Sequence, residues 1–110
     1  MPYLQLDVDG PYPSARKRAL AQRMCASYAQ LMQVDARRIS VVIRECGEGA
    51  VWRLVDGDMV PAAVLMLDIR RGRSPEQRLA VAYQLIADCG LELGLPVAIS
   101  PQTGVPSGCP

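Results

Sequence analysis

The sequence predicts an α+β fold built from two consecutive β-α-β units that share one sheet. A short apolar phrase is written twice, as "LQLDV" at residues 4–8 and as "LMLDI" at residues 65–69. Each copy precedes a serine, Ser14 or Ser74, and a helical pattern. Because a long connection that contains a helix joins parallel strands, we expect a four-stranded, mostly parallel sheet. Both helices should cover one face of it, within a single domain over residues 1–110.

Composition excludes several classes of partner. The chain has 110 residues and a formal net charge of +1, which is too close to neutral to predict binding to nucleic acid or to an anionic membrane. It contains no apolar run as long as a membrane span and no secretory leader pattern, so we expect a cytoplasmic protein. Histidine is absent and the four cysteines are scattered, so no metal site is expected. Acid–base chemistry near neutral pH must therefore use another group.

The first unit is predicted over residues 2–46. Residues 3–8 read as a strand because they are rich in apolar and β-favouring side chains. Ser14 precedes a helix whose apolar face comprises Leu20, Met24, Tyr28 and Leu31. The β-branched run that opens residues 39–46 predicts the second strand.

A hairpin linker is predicted over residues 47–61, because Asp56-Gly57 is a favoured two-residue turn. The second unit follows over residues 62–100, and its helix begins with a capping box at Ser74. The predicted inner face of this helix comprises Leu79, Ala82, Tyr83 and Ile86. A brief strand at residues 96–100 and a tail at residues 101–110 complete the chain. The sheet face away from the helices is expected to be apolar and buried against copies of the chain.

Pro2 is the first candidate for chemistry. Methionine before a small residue is commonly removed, and Pro2 would then carry a free secondary amine. An α-amino group has a pKa of about 7.7–8.0, and burial or a nearby cation lowers that pKa. The ring holds φ and so directs the nitrogen lone pair. Pro2 therefore offers a general base near neutral pH in a chain without histidine.

The turn after the second copy of the repeat differs from the turn after the first. It reads "RRGRS" at residues 70–74, whereas "DVDGPYPS" in the first copy has no arginine. Gly72 permits a tight turn, and the helix that follows adds positive potential at its start. Arginine binds a carboxylate through two parallel hydrogen bonds. The turn therefore predicts binding of an anionic group, with a solvated basic loop as the alternative.

Pro2, the R-x-G-R-S turn and the doubled pattern together resemble the tautomerase superfamily, whose members use an amino-terminal proline on a β-α-β fold. The resemblance covers most of residues 2–100. The turn is similar to that of the cis-3-chloroacrylic acid dehalogenase family and of the 5-carboxymethyl-2-hydroxymuconate isomerase family. The resemblance implies a fold like that of macrophage migration inhibitory factor, a homotrimer, a small carboxylate substrate and no cofactor. It also implies Pro2 as the catalytic residue and Arg70 and Arg73 as substrate-binding residues.

The sequence lacks several residues of the family pattern, and four nearby or substitute residues become secondary candidates. The dehalogenase branch has a histidine on its first helix, and the nearest residues here are Ser27 and Tyr28. That branch also has a water-activating glutamate near its C-terminus, whereas nothing after Glu92 is acidic here. Glu45 is a candidate substitute. Arg44 is a candidate replacement for the second-strand arginine of the single-unit tautomerases.

Three functional hypotheses remain open from the sequence. The first is a cofactor-independent tautomerase that uses Pro2 as general acid and base on a small 2-oxo or enol carboxylate. The second is a dehalogenase of cis-3-haloacrylates, or a related hydratase or decarboxylase. The third is a non-catalytic oligomeric binding protein with the same fold.

Overall fold

The structure is a computed structural model that describes residues 2–69, 74–94 and 97–103. Its elements confirm the predicted α+β class. In chain order they are β1 (Tyr3–Val8), α1 (Ser14–Met32), a 3₁₀ helix (Ala36–Arg38), β2 (Ser40–Glu45), β3 (Trp52–Val55), β4 (Asp58–Pro61), β5 (Ala63–Ile69), α2 (Pro75–Leu93) and β6 (Val97–Thr103).

Four of the strands form one mixed sheet in the order β2-β1-β5-β6. β1 is parallel to β2, and β5 is parallel to β6, so each β-α-β unit contributes a parallel pair. The two units meet along β1 and β5, which are antiparallel, with Leu4 opposite Leu67 and Asp7 opposite Val64. The amino end of β1 and the carboxyl end of β5 therefore lie at the same end of the sheet, which we call the Pro2 end.

β3 and β4 form a separate two-stranded hairpin. Asp56 and Gly57 at its turn both have positive φ, 50° and 86°, as a type I′ turn requires. Four large apolar side chains of the hairpin are exposed: Trp52 at 47%, Leu54 at 65%, Val55 at 37% and Met59 at 57%. A two-stranded hairpin is marginally stable on its own, so these side chains are available to pack against another surface.

The core lies between one face of the sheet and both helices. β1 contributes Leu4, Leu6 and Val8, and β5 contributes Leu65 and Leu67, all with no exposed surface. The helices pack onto these strands. Burial of each such side chain contributes about 1.5–3 kcal/mol relative to exposure.

Helix α1 buries Leu20, Met24 and Tyr28, as its apolar spacing predicts. Two details differ from the prediction. Met32 is buried where Leu31 was expected, and Leu31 packs at the margin of the core. Ser14 is the first helical residue rather than the residue before the helix, because Pro13 occupies the N-cap.

The buried face of α2 is not the predicted one. The buried side chains are Val81, Leu85, Asp88, Cys89 and Leu93. Leu79 and Tyr83 were expected inside but are 55% and 64% exposed, while Ala82 and Ile86 lie at the margin of the core. The prediction was wrong because α2 has apolar residues on two sides, and Asp88 interrupts the side that is buried.

Asp88 is 2% exposed. Its burial is tolerated because each of its two carboxylate oxygens accepts a hydrogen bond. Ser27 Oγ donates to one oxygen at 2.6 Å, and Gln84 Nε2 donates to the other at 3.0 Å. Buried polar groups are tolerated when they are paired in this way. The pairing links α1 to α2.

The sheet face away from the helices is mixed rather than uniformly apolar as the sequence predicts, because polar side chains of β1 share it with Val42, Val64 and Met66. Tyr3, Gln5 and Asp7 of β1 lie on it in a row, where Tyr3 Oη donates to Gln5 Oε1 at 2.9 Å and Gln5 Nε2 donates to Asp7 Oδ1 at 3.0 Å. Arg44 on β2 forms an ion pair with Asp7 at 3.1 Å. Side chains alternate between the two faces of a strand. The β1 residues that alternate with the buried Leu4, Leu6 and Val8 are therefore the polar ones on this face.

β6 extends three residues into the stretch predicted as tail. Pro101, Gln102 and Thr103 pair with β5, up to Ile69 opposite Thr103. Pro101 is accommodated because β6 is an edge strand, where one missing N–H donor is tolerated. The rest of the predicted tail, residues 104–110, lies outside the described residues. Neither α1 nor α2 is long and apolar enough to cross a membrane.

Candidate functional site

Pro2 is buried at the amino end of β1, where it lines a cavity of about 290 Å³. The other described residues that line this cavity are Gln33, Val34, Asp35 and Arg38. They all belong to the segment between α1 and β2. The cavity therefore lies on the β2 side of Pro2.

Parallel pairing of β1 with β2 brings this segment to Pro2. Ser40 N donates to Pro2 O at 3.0 Å, and the pairing continues from Tyr3 opposite Ser40. Gln33 has φ 55° and ends α1 in the left-handed region, so the chain turns sharply at this point. Because parallel strands begin at the same end of a sheet, the residues just before β2 must lie beside Pro2.

Asp35 is the acidic residue of the cavity, and Arg37 occupies both of its carboxylate oxygens. Oδ1 accepts from the Arg37 backbone N at 3.0 Å and from its Nε at 3.2 Å, while Oδ2 accepts from Nη2 at 2.9 Å. These hydrogen bonds from Arg37 hold the pKa of Asp35 below its usual range. Asp35 is therefore a carboxylate near neutral pH and cannot act as a proton donor there.

Arg38 is the cation of the cavity. It is the last residue of the 3₁₀ helix, and its side chain is exposed. Among the described residues no hydrogen bond or ion pair engages its side chain. Asp35 interacts with Arg38 electrostatically, but a guanidinium that forms no hydrogen bond with the described residues is available to bind an anion.

The sequence-predicted arginines follow directly after the end of β5. Leu4 pairs with Leu67, so β5 runs to Ile69 at the Pro2 end of the sheet. Arg70 and Arg73 themselves lie outside the described residues. Ser74 does cap α2 as predicted, since its Oγ accepts from Gln77 N at 3.0 Å.

Two of the secondary candidates lie in the helical layer rather than at the cavity. Tyr28 is 2% exposed in the core. Ser27 donates to Asp88 between the two helices. Neither is among the described residues that line the cavity beside Pro2.

Arg44 and Glu45 are also placed away from Pro2. They are the last two residues of β2, opposite Asp7 and Val8, whereas Ser40 marks the Pro2 end. At about 3.3 Å per residue, Arg44 lies roughly 13 Å along the strand from Ser40. Neither residue is among the described residues that line the cavity.

Glu45 instead holds the turn after β1. Its Oε1 accepts from Lys17 Nζ at 2.7 Å, and its Oε2 accepts from Tyr12 N at 2.7 Å. These hydrogen bonds hold the pKa of Glu45 below its usual value. The stability contributed by Glu45 is therefore present near neutral pH and is lost as the pH falls through its folded-state pKa.

Replacement of Gly10 by alanine is expected to destabilise the fold through this contact. A Cβ on Gly10 would lie 2.7 Å from Glu45 Oε2 and 3.0 Å from Glu45 Cγ. Gly94 has the same φ of +69° but nothing within 4 Å of its would-be Cβ, so Gly94→Ala is the matched control. Both variants suffer left-handed strain of about 1–2 kcal/mol. Gly10→Ala should lose about 1–3 kcal/mol more by urea unfolding, from overpacking. Equal losses would show that Glu45 moves aside without cost.

Sequence reasoning missed Asp35 and Arg38. The signal was present, because "VDARRIS" places an aspartate and two arginines immediately before the second strand. With a parallel β1–β2 pair already predicted, those residues had to lie at the same end of the sheet as Pro2.

The fold defined by these strands and helices is shared with solved structures of fused 4-OT proteins, of a cis-CaaD family member and of macrophage migration inhibitory factor. No protein-family model and no curated protein matches it. A fused 4-OT wild-type symmetric trimer is 20% identical, covering 96% of this chain and 93% of that chain with a TM-score of 0.79. N1, a member of the cis-3-chloroacrylic acid dehalogenase (cis-CaaD) family, is 18% identical, covering 92% and 73% with a TM-score of 0.79.

A third structure is that of Pt0534 inactivated by 2-oxo-3-pentynoate. It is 20% identical, with coverage of 96% of this chain and 90% of that chain and a TM-score of 0.75. At these identities the likeness shows the shared fold. The resemblance inferred from the sequence is confirmed at that level.

Proposed function

We propose that this chain is a cofactor-independent tautomerase that acts on a small 2-oxo or enol carboxylate. The observation that carries the proposal is the position of Pro2. It is buried at a strand end, lines a cavity with Arg38, and belongs to a fold shared with tautomerase-superfamily structures.

Pro2 would act through its ring nitrogen once Met1 is removed. The nitrogen accepts the proton of the enol hydroxyl and returns a proton to the neighbouring carbon, so the enol becomes the keto acid and the enzyme is unchanged. Pro2 is buried and shares its cavity with Arg38, and burial and a cation would both disfavour the protonated form of the amine once it is free. A base positioned in this way contributes about 10²–10⁴-fold to the rate.

Arg70 and Arg73 are proposed to hold the substrate carboxylate. β5 ends with Ile69 at the Pro2 end of the sheet, and Arg70 is the next residue in the sequence. Two guanidinium groups on that side would orient the acid and stabilise negative charge on the dienolate oxygen.

The tautomerase hypothesis is favoured over the dehalogenase hypothesis because of Glu45. Hydration of a haloacrylate needs a base that activates water. The candidate for that role is Glu45, which lies at the end of β2 away from Pro2. Its carboxylate accepts hydrogen bonds from Lys17 and Tyr12. No other carboxylate among the described cavity residues is free, since Asp35 is held by Arg37.

A homotrimer is proposed as the assembly. A related fused 4-OT structure is described as a symmetric trimer. The exposed hairpin side chains Trp52, Leu54 and Met59 supply apolar surface for contacts between subunits. Light scattering on the purified protein should give a mass three times that of the chain.

The test is ketonisation of phenylenolpyruvate and of 2-hydroxymuconate by the pure protein, with chloride release from cis-3-chloroacrylate measured in parallel. Ketonisation well above the buffer rate without chloride release is the expected result. Chloride release would instead support the dehalogenase hypothesis. Absence of all three activities in protein that begins at Pro2 would support the non-catalytic binding protein.

A further inference from the structure

The outward face of α2 is apolar, although the helix already buries its opposite face in the core. Leu79, Tyr83 and Leu91 are 55%, 64% and 74% exposed. Between Leu79 and Leu91 the one charged residue is Asp88, which is buried. A surface helix ordinarily turns charged and polar side chains toward solvent, and a helix that is apolar on all sides is ordinarily buried. In the part of the chain that the structure describes, nothing covers this second apolar face.

Gly90 is a further unusual feature of the same face. It follows Tyr83 by seven residues, about two helical turns, so the two residues lie on one side of α2. Nothing lies within 4 Å of a Cβ built on Gly90. Glycine inside a helix is less favourable than alanine, so the folded chain gains nothing from the missing methyl group. A bare backbone at this position does allow a second surface to approach closely.

The outward face of α2 is complementary to itself. Leu79, Tyr83, Ala87 and Leu91 recur every four residues and so form one row along the helix. When two such rows meet antiparallel about a two-fold axis between Tyr83 and Ala87, the large Tyr83 faces the small Ala87 of the second copy. Leu79 then faces Leu91 of the second copy at each end. Rows of this spacing form the commonest class of helix pair, with axes that cross at about 50°.

The area of this face is sufficient for a specific contact. Its three large side chains expose roughly 400 Å² per copy, a patch as large as the largest on many monomers. With the exposed Ala80, Gln84 and Ala87 included, a symmetric pair would bury about 1,000 Å² in total, the lower limit for a specific interface. Residues 79–91 contain no lysine or arginine, which a helix that lies on a membrane surface would carry.

We propose that α2 is a self-association surface, on which α2 of a second copy of this chain packs antiparallel through the row from Leu79 to Leu91. This contact is additional to the hairpin contacts proposed for the trimer, and it does not depend on the proposed function. Its small area predicts weak association. Trimers would be the species in dilute solution and would join through α2 as the concentration rises.

The test is sedimentation velocity of the wild type and of Ala87→Glu at a series of protein concentrations. The mass of the wild type should rise with concentration, whatever the assembly of the dilute protein. Ala87→Glu adds one carboxylate from each copy to the contact, because a two-fold axis presents every substitution twice. Like charges across an interface are strongly unfavourable, so the variant should associate at least about tenfold more weakly.

Ala19→Glu is the matched control, because Ala19 is also an exposed alanine inside a helix. The ion pair of Arg23 with Glu92 places the last turn of α2 beside residue 23 of α1. Ala19 lies one turn further toward the start of α1, away from the middle of α2. Ala19→Glu should therefore associate as the wild type does.

Gly90→Ala supplies a readout that a purely structural role would not change. The variant should raise the urea midpoint, because alanine favours a helix and its Cβ has open space. It should also weaken association, because the added methyl group would lie in the contact. A wild type whose mass does not change with concentration would overturn the inference, as would unchanged association of Ala87→Glu or Gly90→Ala. None of these measurements uses ketonisation, so the result is independent of the proposed function.

Discussion

Replacement of Pro2 by alanine is expected to lower kcat for ketonisation by about 10²-fold or more, toward the low end of the range for positioned acid–base catalysis. Alanine is also small, so Met1 should still be removed and a primary amine should remain. What the variant loses is the ring, which restricts φ and holds the nitrogen at the cavity wall. The expected loss therefore lies in kcat rather than in substrate binding.

Pro61→Ala is the matched control, because Pro61 ends β4 in the hairpin and its side chain is exposed. That variant should keep the wild-type kcat within about twofold, as expected for a surface substitution. Equal activity of wild type and Pro2→Ala, with both proteins folded by circular dichroism, would remove Pro2 from the reaction.

Replacement of both Arg70 and Arg73 by glutamine is expected to have an effect similar in size to that of Pro2→Ala. It should change KM as well as kcat. A hydrogen bond to a charged group contributes about 1.5–3 kcal/mol, so the loss of two should lower kcat/KM by at least about 10²-fold. The KM part reflects carboxylate binding. The kcat part reflects stabilisation of the dienolate.

Arg71 supplies the control for this pair, since it lies between them in the sequence and is not part of the R-x-G-R-S match. Arg71→Gln removes one positive charge from the same turn and should leave kcat/KM within about threefold. If Arg71→Gln were as damaging as the double variant, the general positive potential of the turn would matter rather than specific contacts.

Local signals predicted the elements of this fold well. Ser74, followed by Pro75, starts α2, and Ser74 Oγ accepts from Gln77 N, while the Gln77 side chain donates to Leu31 O rather than completing the capping box. Asp56 and Gly57 have the backbone conformation that a two-residue hairpin turn needs. These features depend on residues close together in the sequence, so the sequence alone is sufficient to predict them.

The faces that the helices and the sheet bury were harder to predict, because they depend on contacts between residues distant in the sequence. α2 has apolar side chains on two sides, and the buried side contains Asp88, which Ser27 on the other helix makes tolerable. The sheet face away from the helices likewise carries polar pairs, such as Asp7 with Arg44, among its apolar side chains. A hydrophobic pattern cannot reveal a polar group that is buried because of a partner sixty residues away in the chain.

The candidate site likewise combines a residue that the sequence predicts with one that only the topology places. Pro2 was predicted from its chemistry, the repeat and the family resemblance, and the parallel pairing of β1 with β2 then placed Arg38 in the same cavity. That pairing also excludes Arg44 and Glu45 from the described cavity, although both follow Ser40 by only a few residues. In a parallel pair, the distance along β2 decides which residues reach Pro2.

The most direct measurement of the central claim is the mass of the amino-terminal peptide after the active protein has reacted with 2-oxo-3-pentynoate, the reagent that inactivated Pt0534. A free amine adds across its conjugated triple bond: a nitrogen–carbon bond forms, the amine proton moves to the adjacent carbon, and nothing leaves. We predict a peptide that begins at Pro2 and carries one reagent molecule, formed in step with loss of ketonisation. A fully active protein whose peptide still begins with Met1, or inactivation without any label on Pro2, would contradict the account.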